Sequence, residues 1–264
     1  MLKAAPGLSD RMAGEIAMVM IAIVAGLLSM VTSLAVGIKL VRLAGRTHQL
    51  PELLIGMSLV LMGFGWSALS AAGRQGTDLS DPVRVGMLVA SALCAIVGTV
   101  CLSLFNWRVY HPGVTWPGVL TAVVGLSLVA ICLAQTFGVG WLVFAREEHG
   151  PWRNVTWINF ANYVWSAIEA WTQQQAMQRR SRIGLADPVV LDRVRLWTIT
   201  LLAAVAATFV FGMLQTLGVP IGGTPIGLGL TAVISLVSSA TLFLAFSPPS
   251  SYLASVRRRA VAAA

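Results

Sequence analysis

Charge is scarce in this chain. Only 11% of its 264 residues are Asp, Glu, Lys or Arg, against about 25% in soluble domains, while 57% are hydrophobic. With a mean hydropathy of +0.80, that shortage excludes an ordinary soluble fold and reads as an integral membrane protein. Cysteine is sparser still. Cys94, Cys101 and Cys132 are odd in number, lack Cys-x-x-Cys spacing and fall inside apolar runs, which argues against a disulfide framework or a zinc site and leaves small-residue packing. His48, His111 and His149 all fall between apolar runs, so bis-histidine haem ligation and an intramembrane zinc site lack support. No Gly-x-Ser-x-Gly, His-Glu-x-x-His or Walker-type run occurs. The expectation is no metal, no cofactor and no catalytic residue, with enzyme activity disfavoured.

What the chain has instead is length without charge. Ile16–Ile38, Leu53–Ala72, Val85–Phe105, Gly118–Phe137, Leu196–Leu217 and Ile226–Phe246 are almost free of charged residues. Each holds about 20 residues, enough at about 1.5 Å per residue to cross a hydrocarbon layer of roughly 30 Å. The first run is too long for a signal-peptide core of about 7–15 residues and reads as a retained span. A seventh span, 155–171, differs in kind. Its polar residues Thr156, Asn159, Asn162, Ser166 and Glu169 recur every three or four positions. On an ideal helix Asn159, Asn162, Ser166, Glu169 and Gln173 fall in an arc of roughly 80°.

The predicted fold is therefore all-α, an integral membrane bundle of seven transmembrane helices. Residues 1–15 read as an extracytoplasmic N-terminal segment, 16–247 as the seven-helix domain and 248–264 as a cytosolic basic tail. Seven helices nearly exhaust the chain, so any chemistry is expected within the bundle or at its rims.

A helix carrying two amides and a carboxyl group cannot turn them to lipid, so the striped face must look into protein or a wet cavity. That makes Asn159, Asn162, Ser166 and Glu169 the candidate ligand-binding face. Trp66 and Trp165 lie near mid-membrane and either fill the core or wall a cavity. Gln135 and Gln215 lie toward the same outer side as Asn159 and are candidates to complete its cluster. Glu169 is the only ionisable residue in any span. It either pairs with an arginine such as Arg108 or Arg195 or forms a proton- or cation-responsive site. The asparagines serve equally well as packing glue, since interhelical hydrogen bonds average about 0.6 kcal/mol.

Positive charge is asymmetric. With the N-terminus outside, inner segments carry Lys39, Arg42, Arg46, Arg108, Arg179, Arg180, Arg182, Arg193, Arg195, Arg257, Arg258 and Arg259, and outer ones Lys3, Arg11, Arg74, Arg84, Arg146 and Arg153. Twelve against six predicts N-out, C-in. The basic stretches Gln178–Arg195 and Arg257–Arg259 then face anionic inner-leaflet lipids, each charge worth about 1 kcal/mol near the surface, or a cytosolic or membrane protein partner. Nucleic acid is not an expected partner. Trp107, Trp116, Trp171 and Trp197 are assigned to an inner aromatic belt, and Trp141, Trp152 and Trp157 to an outer one. Leu50-Pro51-Glu52, Asp81-Pro82 and Asp187-Pro188 mark helix starts. A short hairpin is expected around Ile183–Ala186, and Tyr252–Arg259 reads as an amphipathic segment after the break at Pro248-Pro249. The small-residue series Ser29/Ser33/Gly37 and Gly223/Gly227 permit close helix contact.

The stretches His48-Gln-Leu-Pro-Glu-Leu-Leu-Ile-Gly56, Trp165-Ser-Ala-Ile-Glu-Ala-Trp171 with Arg182-Ile-Gly-Leu-Ala-Asp-Pro188, and Ala245-Phe-Ser-Pro-Pro-Ser-Ser-Tyr-Leu253 resemble segments of an uncharacterised family of bacterial seven-span proteins. The resemblance implies a bacterial inner-membrane location and no known activity. Other seven-span classes fit less well. Ile226–Phe246 has no lysine to hold retinal, and no Pro-Gln dipeptide of the seven-span sugar transporters occurs. Receptor-like bundles share the predicted topology, although fold does not imply function. Three readings follow: a sensor or receptor-like bundle binding a small ligand or lipid, a transporter with Glu169 as coupling carboxylate, or a structural partner in a membrane complex.

Overall fold

The computed structural model describes residues 8–76, 78–147, 150–219 and 224–262. Lys3, Glu148, His149 and Gly223, and the side chains of Arg11, Arg146, Glu147 and Arg259, lie outside what it describes. Among the described residues 89% are helical and none is in a strand. The helices are α1 (Leu8–Thr47), α2 (Leu50–Gln75), α3 (Asp81–Tyr110), α4 (Trp116–Val139), α5 (Trp141–Glu147), α6 (Val155–Arg182), α7 (Pro188–Thr216), α8 (Pro225–Phe246) and α9 (Ser250–Ala262). A single 3₁₀ turn, Pro151–Asn154, precedes α6. Six of these helices, α1 to α4, α7 and α8, are long and apolar enough to cross a membrane, consistent with a polytopic membrane protein. Helix α6 matches them in length but not in apolarity, because its polar stripe interrupts the run.

The predicted punctuation recurs in the backbone. Asp187 caps α7 by accepting the Val189 N–H at 2.8 Å, with Pro188 first in the helix. Gly184, at φ +72°, ends the α6 turn in a left-handed conformation that a Cβ disfavours. Pro248 and Pro249 separate α8 from α9, and Tyr252 donates to Asp192 Oδ2 at 2.6 Å, docking the tail helix on α7. Asp81 lies in the first turn of α3 and pairs with Arg84 at 3.7 Å, while Ser80 occupies the capping position.

The helices form a ring around one member. Helix α1 packs on α2 and α8, α8 on α7 and α7 on α6, while α2, α4 and α6 all contact α3. In the most apolar stretch of α3, 56% of residues are buried, against 22–28% in the other five apolar helices. That difference makes α3 the axis of the bundle. Side chains such as Leu126, Phe137 and Val233 are exposed on the outside, the pattern of helices whose outer faces meet lipid.

Two corrections concern aromatics. Trp141 and Trp152, assigned to an outer belt, are buried in the core beside Leu88 and Phe144, with their rings 5.3 Å apart. Trp157 stacks edge-on against Phe160 and Phe209. Trp141 and Trp152 supply packing area and not an anchor at the lipid surface. Trp116 and Trp171 are about half exposed, as belt residues are.

Small residues set the tightest contact. A Cβ on Gly37 would lie 2.9 Å from the Gly56 carbonyl oxygen, and one on Gly56 would lie 2.9 Å from the Val41 nitrogen. The α1 and α2 backbones touch there, and the Ser29/Ser33/Gly37 series is spent inside the molecule, since Ser33 also faces Gly63. Gly37→Leu and Gly56→Leu should each destabilise the detergent-solubilised protein by about 1–3 kcal/mol. The double variant should lose less than the two effects added, because either side chain alone forces the helices apart. Thermal unfolding of the three variants checks this, and wild-type midpoints would refute the contact.

Candidate functional site

The polar face of α6 is turned inward. Asn159, Asn162 and Ser166 are 2%, 3% and 0% exposed. Their partners lie on α3, where Thr99, Ser103 and Asn106 are equally buried. The Thr99 hydroxyl donates to Asn159 Oδ1 at 2.8 Å and that of Ser103 to Asn162 Oδ1 at 2.9 Å. Asn106 Nδ2 donates to Ser166 Oγ at 2.6 Å, and Asn162 Nδ2 reaches the Thr99 carbonyl at 3.4 Å. Ser166 passes its own proton to the Asn162 carbonyl at 2.9 Å. The result is a zipper in which spacings of four and three on α3 meet spacings of three and four on α6. It leaves no open room at the asparagines, which act first as glue between the two helices.

Glu169 continues the zipper at its end nearest the α6–α7 hairpin. Its Oε1 lies 2.7 Å from His111 Nε2 and accepts the Trp165 indole N–H at 3.1 Å. The side chains are only 26% and 16% exposed, so the pair is screened less than a surface ion pair. It is an ion pair only when the imidazole is protonated. Trp116 stacks on both His111 and Trp165, at 5.2 and 6.1 Å. The expected arginine partner is not used: Arg108 lies over the Trp107 ring at 4.4 Å.

The remaining candidates are dispersed. Gln135 is fully buried but serves the loops after α4, donating to the Gly140 carbonyl at 2.7 Å and accepting the Trp152 N–H at 3.1 Å. Gln215 accepts from Thr156 at 3.0 Å, tying α7 to α6. Neither amide joins Asn159. Arg179, Arg180, Arg182, Arg193, Arg195, Arg257 and Arg258 are all exposed at the hairpin and tail.

Trp66 does wall a cavity. About 180 Å³ of space lies where α1, α2, α3, α6, α7 and α8 converge, lined by Ser29, Ser33, Ser58, Thr200, Ser238, Tyr163, Trp66 and Trp197 among others. Its α2 wall is a π-helical stretch, Leu59–Trp66, of which Leu59, Met62, Gly63 and Trp66 face the space. Wide turns of this kind are frequent at functional sites. Tyr163 donates to Met62 Sδ at 3.3 Å, and the Thr99 hydroxyl lies 3.6 Å from the same sulfur. The cavity and the zipper therefore share a wall.

Sequence reasoning missed the α3 half of the zipper and placed His111 in a loop without a partner. The available signal was Thr99, Ser103 and Asn106 at i, i+4 and i+7, one face of a helix. Comparison with protein-family models, curated proteins and solved structures gave no match.

Replacing Asn162 with Leu removes its bonds to Ser103 and Thr99 and overfills the α3–α6 seam. Each lost interhelical bond should cost between about 0.6 and 1.7 kcal/mol, read as reduced unfolding free energy in mixed micelles. A variant as stable as the parent would show that the zipper contributes nothing.

Proposed function

We propose that the chain is a seven-span, receptor-like protein that binds a small, partly apolar ligand in the central cavity, in a bacterial cytoplasmic membrane. In this reading α6 crosses as the additional span, the N-terminus is outside and the C-terminus is cytosolic. Several features support it. At about 1.5 Å per residue, the 28 residues of α6 are long enough to span, and Asn159, Asn162 and Ser166 of its stripe are hidden from the bundle exterior. The basic hairpin and tail helix lie together, through Tyr252 and Asp192, on the side with the excess of arginine. The bacterial location rests on the sequence resemblance.

The observation that carries the binding role is the cavity wall. Hydroxyls from four helices and three aromatic rings surround one space, and a π-helical stretch frames it. Apolar walls with a few placed polar groups are the usual composition of small-molecule sites. At about 180 Å³ the space is below the roughly 300–1,000 Å³ of drug-sized sites, so the ligand is small. Occupancy reaches the cytosolic end through Tyr163, because α6 carries both the cavity wall and the start of the basic hairpin. Screening small amphiphiles by thermal shift on the purified protein should find one that raises the midpoint. Ala204→Phe, which fills the space from α7, should remove that shift while the protein still unfolds cooperatively. A filled variant that binds as well as the parent would sink the reading.

A second reading has one specific observation behind it. The His111–Glu169 pair puts two partly buried titratable groups at one end of the α3–α6 seam, and ionisable side chains that face the interior of a membrane bundle mark ion and proton paths. Transport predicts flux in proteoliposomes that Glu169→Gln abolishes, and unchanged flux in that variant counts against coupling.

A further inference from the structure

A second, larger space lies on the exterior of the bundle. Between α1 and α8 runs a groove of about 580 Å³, lined by Leu28, Ala35, Leu236, Ala240 and Phe243 and ending at Ser247. These apolar residues are exposed. The volume falls within the roughly 300–1,000 Å³ of sites that take one small molecule or chain.

Positive charge waits at one end. Lys39 Nζ donates to the Phe246 carbonyl at 2.8 Å and to Ser247 Oγ at 3.0 Å, capping the C-terminus of α8. Both partners are neutral, so the full charge and one of its three donors remain for a ligand. Arg42 and Arg46 follow Lys39 on α1 at spacings of three and four, and Ala35 precedes it by four. The cations thus continue the groove's own stripe past its mouth. All three are exposed, and among the described residues none is in an ion pair.

We propose that this groove is a binding site for an anionic phospholipid, with an acyl chain between α1 and α8 and the phosphate on Lys39 and Arg42. An apolar slot ending in cations is complementary to an amphiphile with a negative head. A second copy of the chain packed symmetrically on the same slot would bring its own Lys39, Arg42 and Arg46 against these, and like charges disfavour that pairing.

A photoreactive benzophenone side chain at Ala240 tests this, in the full chain reconstituted in equimolar phosphatidylcholine and phosphatidylglycerol. After irradiation, mass spectrometry should find phosphatidylglycerol adducts enriched about fivefold over phosphatidylcholine, the ratio expected from one near-surface charge. A probe at Leu126 on the lipid-facing side of α4 should report the composition of the vesicle. Arg42→Gln, which leaves the Lys39 contacts intact, should move the Ala240 ratio toward that baseline, and Lys39→Gln should do so as well. Three results would overturn the proposal: a wild-type ratio equal to that at Leu126, a chain-to-chain cross-link or no lipid adduct at Ala240, or a ratio that Arg42→Gln leaves unchanged.

Discussion

The bundle depends on pairing the polar stripe of α6 with that of α3, away from its apolar exterior. An unsatisfied polar group in the bilayer core costs several kcal/mol, far more than the fraction of a kcal/mol that a made interhelical bond contributes. The α3–α6 zipper is thus held by the penalty for opening it. From that one constraint the layout follows. Helix α6 must lie against α3, α3 must be enclosed to receive it, and the five other apolar helices take places around that pair. The hairpin at Gly184 and the tail helix on α7 inherit their positions from this seam.

The separation of seam and cavity gives the interior two characters. On one face α6 spends Asn159, Asn162 and Ser166 on its neighbour. On the adjacent face it offers only the Tyr163 hydroxyl, beside the serines and threonine of α1, α2, α7 and α8. Hydroxyls return a proton to their own helix, as Thr200 does to the Leu196 carbonyl, so such a wall tolerates an empty or apolar interior. Amides do not have that option, which is why they are found zipped and not lining the space.

The sequence was legible where a single helix decides the outcome. Apolar length located six helices long enough to span, Pro188 after Asp187 located the start of α7, and the period of Asn159, Asn162 and Ser166 identified a face that turned out buried. It was opaque where the answer needs a second helix. Gln135 lies at an equally apolar depth, yet it staples its own loop because the chain turns at Gly140 directly beside it. His111 is the loop residue that its place between apolar runs indicated, one position past the end of α3 at Tyr110. Its ring nevertheless folds back on Glu169, a residue 58 positions away. Trp141 and Trp152 lie between apolar runs, where a lipid-water belt is expected, but pack in the core against each other and Phe144.

Helix α2 carries a change of phase. Its π-helical middle winds less per residue than the α-helical turns on either side, so the face before Leu59 and the face after Trp66 are not one continuous stripe. Gly56 meets α1 before the wide turns, and Gly73 meets Leu88 of α3 after them. Wound as plain α-helix over the same residues, the far segment would be turned out of its present phase. Gly73 would swing away from its axis while Gly56 stayed seated, so the spacing of these two glycines is a timing relation that only the unwound stretch keeps.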